Sequence, residues 1–340
     1  MTATPHQRST ILEVAREAGA SKTSVSRYFG DERERLSPGM QTRIATAAQR
    51  LGYRPNQMAR SLKGGHSRLV GMLVADIRNP FTVAVMHGVE QACQAHGYSL
   101  MVCNTDNDAA RESALLALLA SYRVEGLIIN AAGSPDQQLQ TLVDQGTPLV
   151  LLDRELGRTE ASVVGLDNAL AIDMALDHLQ AQGYRRLLYL SEPPEQASPR
   201  HVRLARFQHG CEARGLTGHA HDQSLEDTEA LSQAIRHFLT EGDSGQKAVL
   251  CANGNVTLAA TRILLASGAR LGETGLLGID ELDWCELVAP GISTLAQPTD
   301  AIGRSAVACL MRSQDNDATP TRHRHAPTLI MRGSTRNTRP

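Results

Sequence analysis

Aromatic residues make up only 3% of the 340 residues, with a single Trp, so a core here has to be assembled from Leu, Val, Ile and Ala. No apolar run approaches the ~18 residues that cross a bilayer. The opening MTATPHQRST carries no hydrophobic stretch of the kind that directs export. These absences predict a cytoplasmic chain with no membrane partner. The six cysteines (Cys93, Cys103, Cys211, Cys251, Cys285, Cys309) are scattered, with no CxxC and no paired ligand spacing. That pattern argues for reduced thiols and against a disulfide framework or a zinc site. A GxSxG elbow, an HExxH pair, a Walker loop and a GxGxxG after the first strand are missing too. His323 and His325 in TRHRHAP are the nearest approach to a metal pair, and a Pro-bounded, Arg-rich stretch reads as solvated loop. No catalytic constellation, metal or cofactor is therefore expected.

Charge is present but unevenly placed. The first 68 residues hold 12 Lys/Arg against 5 Asp/Glu, and the remainder hold 22 against 31, which yields the net −2 of the whole chain. A small basic head on an acidic body fits a polyanion-binding module joined to something that does not bind polyanions.

Within that head, TILEVAREAGASKTSVSR (Thr10 to Arg27) is the most informative stretch. Ile11, Val14, Ala15 and Ala18 recur at helical spacing. Thr10 and Glu13 stand three apart as a capping box, and Gly19 breaks the run. Ser21 then caps a second helix from Lys22 to about Phe29, on which Val25 faces inward while Lys22, Thr23, Ser24, Ser26 and Arg27 are polar. Two short helices about a tight turn make a helix-turn-helix, whose second helix can enter a major groove. An ordinary pair of surface helices is the plain alternative. Ser37-Pro38 opens a third helix with Met40, Ile44, Ala47, Ala48 and Leu51 on its apolar face, and Gly52 stops it.

From Arg68 the pattern changes to apolar strands alternating with helices, beginning with LVGMLVA (69–75), which implies a parallel sheet covered on both faces. Val163-Val164-Gly165 reads as the opening of a second round of the same alternation, and Thr328 to Met331 as a closing strand. Two such lobes in succession leave a cleft between them, outside the carboxyl ends of their strands. The polar groups at those ends are Asp76 with Asn79, Asn130, Asp153-Arg154, Ser191, Asn253 and Asp280. A sugar needs carboxylates and amides for its hydroxyls, arginine for any carboxylate, and an aromatic face. Asp153, Asn253 and Asp280 can supply the first, Arg154, Arg200 and Arg203 the second, and Phe81 or Trp284 the third.

The ordered combination of TILEVAREAGASKTSVSR, LGYRPNQMARSLKGG and the body resembles the LacI/GalR family of bacterial transcription regulators over nearly the whole chain. The resemblance implies an α/β fold with an all-α helix-turn-helix head at 1–54, a hinge helix and linker at 55–67, and a body at 68–340. That body has two lobes, with parallel sheets, like a periplasmic binding protein, and the chain crosses between them. The implied DNA contacts are Thr10, Ser21, Lys22, Thr23, Ser24, Ser26 and Arg27 in the head, and Asn56, Ala59, Leu62 and Lys63 in the hinge. Leu62 is the expected wedge between base pairs in the minor groove, and a segment this short would need a second copy and DNA to be helical. The partners implied are double-stranded operator DNA, a small-molecule effector and a second copy of the chain.

Family effector positions map onto Phe81, Asp153, Ser198, Arg203, Asn253, Asp280 and Gln297. The family's Asn-Asp after the CANGN strand is Asn253-Gly254 here, which removes an acceptor and is expected to leave space. The stretches GMLVADIRNPFTVAVMHGVEQAC, YLSEPPEQASPR and GIDELDW resemble the branch that responds to 2-ketogluconate, with 2-keto-3-deoxy sugar acids as the rival effector. A repressor released by a sugar acid is the function these expectations describe. A solute-binding receptor and a sugar-acid enzyme on the same body are the alternatives.

Overall fold

The computed structural model describes residues 9–30, 32–55, 66–130, 136–154, 161–193, 198–241, 247–313 and 319–336. The chain divides into two compact units, Met1–Ser67 and Arg68–Pro340.

In the first unit, α1 (Ile11–Glu17) starts at the Thr10/Glu13 capping box, both reciprocal hydrogen bonds being present. Gly19 turns the chain with φ +58°, where a side chain would be strained. Ser21 then accepts from the Ser24 N–H at 3.0 Å to start α2 (Lys22–Tyr28). After Ser37-Pro38, α3 (Pro38–Arg50) closes the bundle. Val14, Val25 and Ile44 are completely buried with Ala15, Ala18, Ala47 and Ala48 around them. Phe29 packs between Tyr28 and Tyr53, with ring centres 5.0 and 5.5 Å away. So few residues make a small core, and the caps at each helix start matter correspondingly.

The second unit holds two six-stranded sheets. The first contains β1 (Leu69–Val74), β2 (Ser99–Asn104), β3 (Leu127–Asn130), β4 (Leu149–Leu152), β5 (Ser162–Leu166) and β11 (Arg322–His325), in the order β11-β5-β4-β3-β1-β2 and parallel throughout. The second contains β6 (Arg186–Ser191), β7 (Thr217–Asp222), β8 (Lys247–Cys251), β9 (Gly275–Ile279), β10 (Ser293–Ala296) and β12 (Thr328–Ile330). Its order is β12-β10-β9-β8-β6-β7, with only β12 antiparallel to its neighbour.

Helices α4 (Pro80–Ala95), α5 (Ala109–Ser121) and α6 (Asp136–Asp144) follow strands of the first sheet. Helices α7 (Asn168–Ala181), α8 (Ser198–Ala213), α9 (Thr228–Thr240), α10 (Gly254–Ala266) and the short α11 (Trp284–Leu287) accompany the second. The last helix, α12 (Thr299–Arg312), returns to the first lobe. Its Ile302, Ala306, Val307 and Leu310 share a core with Val85, Val89 and Cys93 of α4. Gly303 makes that return possible, since a Cβ there would lie 2.6 Å from the Gly88 carbonyl carbon and the Val89 nitrogen.

The lobes are therefore interleaved rather than successive. The chain passes between them at 166–168, at 296–299 and at 325–328. This corrects the reading of Val163-Val164-Gly165 as the start of a second round, for those residues belong to β5 of the first sheet. It also corrects the solvated loop expected at TRHRHAP. His323 and His325 lie in strand β11, paired in parallel with β5, and their rings lie near Thr321 Oγ1 and Ser305 Oγ, each at 3.1 Å. Among the described residues no helix is long and apolar enough to cross a membrane.

Candidate functional site

On the head, the second helix presents Lys22, Thr23, Ser26 and Arg27 to solvent, while Val25 is fully buried beneath them. The other expected contacts already have structural work. Thr10 exchanges hydrogen bonds with Glu13, and Thr10's backbone N–H, then its hydroxyl, hold the Glu13 carboxyl below its usual pKa. Ser21 and Ser24 share a hydroxyl contact of 2.9 Å at the cap. Arg27 is not wholly free to reach outward, since its Nε donates to Glu32 at 3.1 Å. Asn56, Ala59, Leu62 and Lys63 lie outside the described residues.

In the body, one cavity of about 800 Å3, its mouth included, opens where the two sheets end. It collects Asp76, Asn79, Phe81, Asn130, Asp153 and Arg154 from the first lobe, Arg200, Arg203, Asn253 and Asp280 from the second, and Gln297 from the crossing segment after β10. The polar ends of parallel strands converge here because each crossover starts its return from that edge.

Asp153 follows β4 and keeps its N–H on Val164 of β5 at 2.8 Å. Its carboxylate accepts from the Leu166 N–H. Burial pushes the Asp153 pKa above the ordinary value, and the nearby positive charge of Arg203 works against that shift. Arg154 is held down to about 10 by burial, partly offset by Asp153 and reinforced by the like charge of Arg200. Arg203 is 5% exposed. It spends its Nε on Asn168 and its Nη1 on the Ala252 carbonyl, both at 2.6 Å. Asp280 is equally committed, accepting from the Gly254 N–H at 2.8 Å and the Gln297 amide at 2.6 Å. Gln297 Oε1 is buried in the cavity wall with no hydrogen-bond partner among the described residues, an acceptor still owed a donor.

Two expected residues are elsewhere. Trp284 packs against the core that includes Val256, Cys285 and Ile292 and does not line the cavity, so Phe81 is the aromatic residue in the wall. Ser198 lines a neighbouring cavity with Asn168, Arg322, His323 and Arg324. The space expected at Gly254 is also filled, because a Cβ there would stand 2.7 Å from Leu282 Cδ1 and 3.4 Å from Asp280 Oδ2. Nor is the cavity short of acids.

Glu192, which the sequence reading passed over, lines it and accepts from both Arg200 Nη2 at 2.8 Å and Asn253 Nδ2 at 2.7 Å. Its signal was available, since strand ends were the rule and Glu192 stands one residue past Ser191, whose hydroxyl instead turns back to the Glu192 carbonyl. Thr82, Asn107 and Asn255 are further wall residues the sequence did not single out.

The chain's relatives agree with this geometry. Residues 10–56 match the bacterial regulatory proteins of the lacI family, and residues 176–335 match the periplasmic binding protein-like domain. The HTH-type transcriptional regulator PtxS of Pseudomonas aeruginosa is 49% identical over 96% of both chains. The HTH-type transcriptional regulator KdgR of Bacillus subtilis is 37% identical over 91% of this chain and 92% of its own. A crystal structure of the Lac repressor dimer bound to operator and the anti-inducer ONPF superposes with a TM-score of 0.83. It covers 97% of this chain and 99% of the repressor at 21% identity, which speaks for the fold. A basic helix-turn-helix head, an interleaved two-lobed body with a polar cavity, and relatives matched along their length place this chain in the lacI family of bacterial regulatory proteins.

Proposed function

We propose that this chain is a cytoplasmic repressor that grips a pseudo-palindromic operator as a homodimer and releases it when a sugar acid, 2-ketogluconate in the first instance, fills the cavity between the lobes. The observation that carries this reading is the convergence of Arg154, Arg200 and Arg203 on one polar cavity, in a chain whose head bears an exposed basic recognition helix. Guanidinium groups in a cavity wall favour a carboxylate ligand over a neutral sugar. Lys22, Thr23, Ser26 and Arg27 are the side chains placed to meet base edges and phosphates, Arg27 exchanging Glu32 for DNA. Leu62 and its neighbours are assigned the minor groove. The resemblance of the body's motifs to 2-ketogluconate-responsive regulators, and its 49% identity to PtxS, support the choice of acid. A 2-keto-3-deoxy sugar acid is the second choice.

Sugar acid and operator interact only if the ligand favours one arrangement of the lobes and DNA the other. The reading involves no catalytic step. A gel-shift assay with the DNA upstream of the chain's own gene tests it. Full-length protein should shift that DNA, and millimolar 2-ketogluconate should reverse the shift while glucose does not. Protein that shifts no such DNA, or a complex indifferent to every sugar acid, would return the choice to a solute receptor or an enzyme.

A further inference from the structure

The charges that line the cavity are three arginines and four carboxylates, Asp76, Asp153, Glu192 and Asp280. Most have a settled duty. Asp76 is paired with Arg78 at 3.0 Å on the first lobe's rim, Asp280 has one hydrogen bond on each oxygen, and Arg203 is tied to Asn168 and the Ala252 carbonyl and faces Asp153. The other two arginines form an arrangement that spans both lobes. Arg154 follows β4 of the first lobe and Arg200 stands in the first turn of α8 of the second, so like charges from different lobes line one cavity. Glu192 reaches into the same space and joins Arg200 to Asn253 through one carboxylate oxygen.

Accepting the sugar-acid reading above, we propose that Arg154 and Arg200 together take the effector's carboxylate, one guanidinium from each lobe, and that Glu192 competes with that carboxylate for Arg200 and Asn253. For Arg200 the exchange replaces one charge-assisted hydrogen bond with another and is close to neutral. The gain comes from Arg154, for which an anion relieves the repulsion of Arg200, and a bridge between lobes is what a ligand needs in order to favour one lobe arrangement. Arg203 is a positioning residue in this scheme. It fixes Asn168 at the crossing and the strand end at Ala252 without being the anion's receptor. Glu192 also sharpens selection, since a neutral sugar offers Arg200 nothing to replace it with.

The discriminating probes are 2-ketogluconate and D-fructose, the same ketose with a CH2OH group in place of the carboxylate. Titration calorimetry on the full-length protein should show 2-ketogluconate preferred by about 100-fold. Arg154→Gln should cut 2-ketogluconate affinity by about 30-fold by removing the gain it supplies, and Arg200→Gln by a similar factor because it leaves the Glu192 charge uncompensated against the incoming carboxylate; both should leave fructose within about threefold, collapsing the ratio. Arg200→Lys should keep part of the preference. Glu192→Gln removes the rival anion and should tighten 2-ketogluconate by about 3- to 10-fold, a gain that a misfolded variant cannot produce.

Preference retained in both glutamine variants, or weaker binding in Glu192→Gln, overturns the carboxylate assignment and leaves the sugar-acid reading standing. A wild-type protein that binds fructose and no sugar acid overturns both.

Discussion

Asp153 follows β4 in the first lobe as Asp280 follows β9 in the second. Both hold a left-handed backbone, with φ +56° and +83°, and both pass their N–H to the next strand of their sheet. At the side chain they diverge. Asp280 is 6% exposed and closed by two short neutral donors from Gly254 and Gln297. Asp153 takes a long hydrogen bond, 3.3 Å, from the Leu166 N–H and another from the Asn168 side chain, and it also answers to charge, from Arg203 first and Arg154 after it. One carboxylate is a structural knot and the other is an electrostatic element. Topologically equivalent positions thus tie the second lobe's floor through neutral donors and leave the first lobe's floor more dependent on neighbouring charge.

The harshest way to break the comparison is to disturb the closed side. Gly254→Asp puts a Cβ against Leu282 and a second negative charge beside Asp280. It should cost about 3 kcal/mol in urea unfolding of the body, from overpacking and like-charge repulsion. Adding Leu282→Ala should return about 1 kcal/mol by removing the steric part, and no recovery would mean the clash is not the cause.

A gentler pair sharpens the contrast. Asp280→Asn leaves one of two buried donors without its acceptor and should cost about 2 kcal/mol. The same change at Asp153 should leave stability at pH 7 no lower than wild type, because burial already disfavours the charged form. Acid should report the same difference. The folded pKa of Asp153 is raised from 3.8, so its ionisation costs the folded state stability at neutral pH. That cost is recovered as pH falls through the folded value towards 3.8. Unfolding curves of wild type and Asp153→Asn should therefore converge on acidification over that window. Divergence would place Asp153 among the stabilising ion pairs.

Much of this architecture was readable where the physics is local. Thr10 with Glu13, and Ser37 with Pro38, mark helix starts within four residues, and the structure begins α1 and α3 there. The apolar run 69–75 could be recognised as a buried strand for the same reason. What escaped reading depends on distant partners. Arg322–His325 carries no strand signature of its own and becomes β11 because β5, some 160 residues earlier, offers it an edge. The polarity of TGHAHD hid β7 in a similar way, since Thr217–Asp222 is mostly exposed and pairs with β6 alone. The return of α12 to the first lobe rests on Gly303 meeting Gly88, a contact no periodicity announces. In the cavity, the strand-end rule found most of the wall. It misplaced Trp284, whose aromatic ring suited a sugar but also a core, and it stopped one residue short of Glu192.

The central claim is that cavity and operator are coupled through the body, and coupling between two binding sites is reciprocal. Calorimetric titration of full-length protein with 2-ketogluconate, alone and saturated with operator DNA, measures it most directly. The effector should bind more weakly to the DNA complex by the same factor by which saturating effector weakens operator binding, about 10- to 100-fold for a coupling of roughly 1.4 to 2.7 kcal/mol. Equal affinity for the effector with and without operator would contradict the account.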